Sequence, residues 1–307
     1  MRKMTPCWHT KQNRWPITLA ARHILDERFR QVRKTLSLAA DHADEDVENV
    51  HRLRVATRRA IAAMRVFEDV LPKKRANLIC NELRRLRRAA GNARDLDVIK
   101  QNLEADTQTP QKTKKTAFRR AAQQRKEAQK TIKRARKRWK KERLNRRIKH
   151  LVKHIRWRKS SNIPSFSTIA ESKLDSAVED FFSVCGDDLT EVCILHDLRI
   201  QGKHLRYVLE IASFLYEPTQ LELLQNDLKE LQDKLGKVMD HVAAKTKLAK
   251  WSAAAANKKQ RKRLCNLLTQ EGDQVQQSYE QFGNWLTHKR IKNLRSEFRR
   301  RTELESR

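Results

Sequence analysis

Hydrophobic positions recur at three- and four-residue intervals through most of this chain, the spacing of one apolar helix face. After Pro16, which suits a first helical turn, Leu19, Ile24, Phe29, Val32 and Leu36 hold this phase until about Asp41. A second stretch runs from about Asp46 to Leu71 and is stopped by Pro72. A third carries Leu78, Leu83 and Leu86 past Gly91 to about Leu103, and a fourth occupies roughly 115–157. The phase of the fourth slips after Trp139, so a kink is expected near 140–143. The pattern then returns at about 166–185, 189–217, 219–256 and 258–300.

This return is a sequence repeat. Val50-His51-Arg52-Leu53-Arg54-Val55 is echoed by Leu195-His196-Asp197-Leu198-Arg199-Ile200, an offset of 145 residues. The same offset carries Asn81 to Asn226, Leu83 to Leu228, Leu86 to Leu231, Gly91 to Gly236 and Asp95 to Asp240 without a gap. A duplicated unit of four amphipathic stretches with short connections predicts an all-α protein of two four-helix bundles related by a pseudo-two-fold axis. The expected divisions are an N-terminal extension (1–14), a first bundle (15–158), a linker (159–165), a second bundle (166–300) and a tail (301–307). The linker, Lys159-Ser-Ser-Asn-Ile-Pro164-Ser165, is rich in turn formers and lacks periodicity.

Composition supports helices and adds a partner. Glycine and proline number six each in 307 residues and aromatics make up 6%, which disfavours β-sandwiches, barrels and Gly-rich nucleotide folds. Lys and Arg total 69 against 37 Asp and Glu, a net charge of +32, so a polyanion is expected as partner: nucleic acid, an anionic membrane surface or a phosphate polymer. Residues 112–159 alone hold 23 Lys/Arg and two Glu. Phe118, Ala121, Ala128, Ile132, Ala135 and Trp139 keep helical phase through them, which predicts an ordered helix with a solvated basic face. Five scattered cysteines (Cys7, Cys80, Cys185, Cys193, Cys265) form no C-x-x-C pair, the pattern of reduced thiols. No apolar run approaches the ~20 residues of a membrane span, and no export signal is recognisable. The expected location is the cytoplasm.

The chemistry concentrates on the two repeated helices. On a helical wheel, Arg54, Arg58 and Arg65 fall within about 60° of His51, and Leu53, Ala56, Ala60, Ala63 and Phe67 lie opposite. From His196 the same construction groups Arg199, Lys203, Arg206 and Tyr207 against Leu198, Leu205, Val208 and Ala212. A solvated face would mix signs, yet no acid interrupts the first stripe and only Glu210 ends the second. Cations stacked on one face call for an anion, and arginine forks hold phosphate oxygens bidentately. Neighbouring arginines should weaken proton binding by His51 and His196, and a bound polyanion should restore it, so binding should tighten on mild acidification. The third helices add Arg84, Arg85, Arg87, Arg88 and Arg94, of which Arg84 matches Lys229 across the repeat. Asp95 and Asp240 are expected to cap a helix or hold a nearby Arg or His.

Val50-His-x-Leu-Arg-Val-Ala-Thr-Arg-Arg59, with Phe67-x-x-Val-Leu-Pro72 and Leu83-x-x-Leu86-x-x-x-x-Gly91-x-Ala-Arg-Asp-Leu-Asp-Val98, resembles the first half of a CHAD domain, the conserved histidine α-helical domain. Leu195-His-x-Leu-Arg-Ile-x-x-Lys203-x-x-Arg-Tyr-x-Leu-Glu210, with Leu228-x-x-Leu-Gln-Asp-x-Leu-Gly236, resembles its second half. The resemblance implies paired four-helix bundles that bind inorganic polyphosphate without catalysis, cofactor or metal, and association with polyphosphate granules. Carried over, it implies His51, Arg54, Arg58, Arg59, His196, Arg199, Lys203, Arg206 and Tyr207 as ligand residues. Arg65, Arg84, Arg88, Arg94, His204 and Lys229 complete the candidate set. Two departures stand out: Ile61 and His204 occupy places where the family commonly carries a basic residue.

Two other functions compete. A sequence-independent DNA or RNA binder could use the basic block 112–159 with Trp139 and Trp157. Such proteins usually add aromatic platforms on which bases stack at about 1–3 kcal/mol each, and the motif helices contribute only Tyr207 to their basic faces. A metal phosphohydrolase is suggested by His196-Asp197, but the residues next in helical phase are Arg199 and Lys203, poor company for a metal.

Overall fold

The computed structural model describes residues 14–43, 45–107, 109–159, 162–185 and 191–301. Most of the expected N-terminal extension, part of the linker and the tail beyond 301 lie outside them, as does Cys7. Ten α-helices make up the described fold: α1 (Ile17–Asp41), α2 (Glu48–Val66), α3 (Lys73–Ala105), α4 (Gln111–Lys141), α5 (Leu144–Lys153), α6 (Phe166–Cys185), α7 (Val192–Ile211), α8 (Pro218–Ala253), α9 (Lys258–Trp285) and α10 (His288–Arg299). No strand forms among the described residues.

Within the first half, α1 packs on α2, α2 on α3 and α3 on α4; in the second, α6 on α7, α7 on α8 and α8 on α9. Between the halves, α1 meets α6, α2 meets α7, α3 meets α8 and α4 meets α9. Each of the first four helices thus touches its counterpart, a pattern compatible with an internal two-fold. The chain entries to α1 and α6 repeat it on a smaller scale: the Ile17 amide donates to the Pro164 carbonyl (3.1 Å), and the Phe166 amide donates to the Trp15 carbonyl (2.8 Å). Both expected apolar stripes are buried, Leu53, Ala60, Ala63 and Phe67 on α2 and Leu198, Leu205, Val208 and Ala212 on α7.

The fourth stretch is broken in both halves. Between α4 and α5 the expected kink falls at Arg143, in left-handed backbone (φ 51°, ψ 41°). The buried Trp139 spans this break, its indole N–H donating to Asn145 Oδ1 (2.9 Å). The second half was expected to run unbroken over 258–300, but α9 ends at Trp285 and Thr287 starts a new helix by accepting from the Arg290 amide (3.3 Å). A threonine cap, which satisfies an otherwise orphaned amide, marks this break without proline or glycine.

Candidate functional site

The basic faces of α2 and α7 meet α3 around a cleft of about 650 Å³. Local packing places them. Gly202 lets α7 press against its neighbours: a Cβ there would lie 3.2 Å from Leu231 Cδ2 on α8 and 3.4 Å from Phe181 on α6. The Gln232 side-chain amide locks this approach by donating to the Gly202 carbonyl (2.9 Å). At the matching place in α2, the Thr57 hydroxyl is fully buried and bonds back to the Leu53 and Arg54 carbonyls. The next residue in each helix, Arg58 or Lys203, is thereby held against the interior with its charge at the cleft.

Seven basic side chains line the cleft, Arg54, Arg58, Arg65, Arg87 and Arg88 from the first half and Arg199 and Lys203 from the second, against a single carboxylate, Asp95. Arg54 donates to Asp95 Oδ1 (3.2 Å) and to the Gly91 carbonyl (3.1 Å). Its counterpart Arg199 lies 4.0 Å from Asp240, so the duplicated aspartates hold the duplicated arginines. Burial, reinforced by Arg199, Arg58 and Arg54, drives the Lys203 ammonium down to about 5. Burial and then Arg54 lower Arg58 to about 10, and burial lowers Arg199 with Asp240 opposing. Burial is the larger cause and the neighbouring arginines the smaller, so Lys203 would hold its proton more firmly with a phosphate beside it.

Of the sequence candidates, Arg54, Arg58, Arg65, Arg88, His196, Arg199, Lys203, His204 and Tyr207 line this cleft. His196 is exposed at the rim, and burial, then Arg65, lowers the proton affinity of His204. The other six lie elsewhere. His51 is half-buried, its proton affinity lowered by burial and then by Arg94, which itself pairs with Glu48 (3.3 Å). Arg59 turns away into an interior ion pair with Glu210 (2.8 Å), which Arg28 of α1 joins at 3.5 Å. Arg206 lies over the Tyr207 ring (5.2 Å to its centre), Arg84 reaches Asn81, and Lys229 is exposed on α8. Ile61, one of the departures from the family pattern, forms apolar lining, and Arg87 and Asn92 join the wall. Arg87 stands one turn before Gly91 on the line that Gly91 and Asp95 draw along α3, the signal that would have added it to the candidate set. No residue of 112–159 lines the cleft. Among the described residues, no three His, Cys, Asp or Glu side chains cluster as a metal site requires, and no helix is long and apolar enough to cross a membrane.

The sequence pattern of the CHAD domain matches residues 23–249. The chain belongs to the CHAD domain family. The fold is also that of two solved structures. One is the CHAD domain from the plant Ricinus communis, at TM-score 0.61 and 18% identity over 94% of this chain and 93% of that one. The other is PptA from Streptomyces chartreusis, at TM-score 0.63 and 16% identity over 89% and 100%. Comparison with curated proteins finds no match. The family match ends within α8, so α9 and α10 lie beyond it.

Proposed function

We propose that this CHAD domain binds inorganic polyphosphate in the cleft between α2, α3 and α7 and leaves it chemically unchanged. The observation that carries this reading is the gathering of seven basic side chains from both halves against one carboxylate. Arg54, Arg58 and Arg199 grip phosphate oxygens as planar forks, Lys203 follows as a point charge, and Arg65, Arg88, His196 and His204 guide the polymer at the rim. Tyr207 is the cleft's one aromatic ring apart from the histidines, so the site suits a chain of phosphates better than one bearing bases. Polyphosphate binding is the property for which the CHAD family is known, and a cytoplasmic protein associated with polyphosphate granules fits it. The cleft holds no paired carboxylates, nucleophile–base pair or metal cluster to assist hydrolysis.

The test is competition at physiological salt between long-chain polyphosphate and charge-matched single- and double-stranded DNA and RNA. A cleft variant (Arg54→Ala, Arg58→Ala, Arg199→Ala, Lys203→Ala) loses polyphosphate affinity by at least about a hundredfold, since each charged hydrogen bond contributes ~1.5–3 kcal/mol. A block variant on α4 (Lys133→Ala, Arg134→Ala, Lys137→Ala, Lys140→Ala) removes exposed cations and leaves that affinity within about threefold. Equal competition by nucleic acid, with the block variant suffering most, would establish diffuse counterion release and overturn the proposal.

A further inference from the structure

The basic segment 112–159 takes no part in the cleft, yet at its elbow it builds a second cavity. This one, of about 540 Å³, lies where the first turns of α3 meet the α4–α5 break. Its floor is apolar, formed by Leu78 and Ile79, and around it stand Arg75, Lys141, Arg143, Arg146, Arg147 and His150, with one carboxylate, Glu142. Residues 75, 78 and 79 project from the face of α3 opposite to that of residues 87, 88, 91 and 95, so α3 separates the two cavities.

The elbow's acids are already engaged. Glu82 takes Arg85 (2.6 Å) and Arg138 (3.3 Å), and Arg138 also holds Glu142 (2.8 Å). Among the described residues, none of Arg75, Lys141, Arg143, Arg146 or Arg147 has a carboxylate partner. The first turn of α5 also opens here, preceded by left-handed Arg143 and capped by no side chain.

At the corresponding break in the second half the side chains engage one another. There Thr287 caps α10, Arg290 lies 4.3 Å and Lys234 5.3 Å from the centre of the Trp285 ring, and the Trp285 indole N–H donates to Glu230 (2.7 Å). An indole lying against a guanidinium and an ammonium, with a carboxylate nearby, completes that elbow. The first elbow keeps the cations and the apolar floor, while its acid, Glu142, is held by Arg138 and its indole, Trp139, is buried against Asn145.

We propose that the elbow between α3, α4 and α5 is a second binding site, for a nucleoside phosphate. The planar base covers Leu78 and Ile79 beside the His150 imidazole, and the phosphate meets Arg75, Arg146 and Arg147. Lys141 and Arg143 hold the next phosphate when the ligand is a strand. A phosphate polymer has no group for the apolar floor, and an acyl chain would gain little from arginines and an imidazole suited to stacking on a planar ring.

The test uses the full chain, a fluorescent single-stranded oligoadenylate read by anisotropy, and adenosine monophosphate and inorganic polyphosphate as competitors. Arg75→Ala/Arg146→Ala/Arg147→Ala and the floor variant Leu78→Ser each weaken oligoadenylate by about tenfold or more and leave polyphosphate binding unchanged. Leu78 is 37% exposed, so its substitution spares the core. Arg143→Gly keeps the left-handed turn, removes one charge and gives a smaller loss. The cleft variant retains oligoadenylate affinity. Displacement by adenosine monophosphate at matched nucleotide concentration identifies a free nucleotide as the ligand; displacement only by strands identifies nucleic acid. The proposal is overturned if Leu78→Ser has no effect, or if oligoadenylate binding is lost in the cleft variant.

Discussion

Helix α2 gives the cleft Arg54, Arg58 and Arg65, whereas α7 offers Arg199 and Lys203 at the first two matching positions and Glu210 at the third. The inner positions have kept their form: each arginine faces its own aspartate, Asp95 or Asp240. The third has reversed. Arg65 is exposed at the cleft, while Glu210 turns inward to hold Arg59 and Arg28. If both halves face one ligand, as proposed, charge is kept at the inner positions where it would be met, while the outer turn of α7 is a structural joint between the halves. Under the proposed function both sides of the cleft bind through their inner turns, and the outer turn of α7 also holds the binding surface in place.

The largest effect that would break this comparison is at the reversed position. Glu210 is only 9% exposed, and Glu210→Ala leaves two largely buried guanidiniums without their carboxylate. Loss of about 3 kcal/mol in denaturant unfolding is expected. Arg65→Ala, at the matching place, changes stability by no more than about 0.5 kcal/mol and weakens polyphosphate binding a few-fold. If Glu210→Ala is neutral in stability, the division into binding turns and joint is wrong.

A smaller and more specific effect separates Lys203 from Arg58. The ordinary lysine value is 10.5 and the folded one about 5. Between them the unfolded chain holds a proton that the folded chain lacks, so from this group stability rises with pH across that window. Lys203→Met removes the penalty: its unliganded thermal midpoint at pH 7 exceeds that of the wild type, while its polyphosphate affinity falls about tenfold. Bound phosphates restore the charge on Lys203, so the wild type takes up close to one proton at pH 7 and binds more tightly as pH falls toward 5. Calorimetry in buffers of different ionisation enthalpy checks this, and Lys203→Met takes up correspondingly less.

Helix periodicity was sufficient to read an all-α fold, because burial of Leu53, Phe67, Leu198 and Leu205 leaves its imprint at helical spacing, and the helix contacts between the halves are compatible with the 145-residue repeat. The α4–α5 kink was legible as a slip of that spacing after Trp139. The α9–α10 break was not, because Thr287 caps its helix with an ordinary residue amid continuing apolar periodicity. A wheel also gives direction without depth. It grouped Arg54, Arg58, Arg65, Arg199 and Lys203 as the cleft does, but carried no sign that Lys203 would be desolvated. Nor could it reveal that Arg28, from a helix outside the motif, would draw Glu210 inward. The resemblance named Arg59 and His51; the packing of α7 and the Arg94–Glu48 pair place both outside the cleft.

The central claim is that one cleft reads polyphosphate with both halves at once. Its most direct test is a titration of long-chain polyphosphate across a salt series, comparing wild type with two half-site variants, Arg54→Ala/Arg58→Ala and Arg199→Ala/Lys203→Ala. Both variants should lose more than about tenfold in affinity, and both should show a shallower fall of log affinity with log salt. Either variant retaining wild-type affinity and salt slope would contradict the account, leaving a site confined to one bundle.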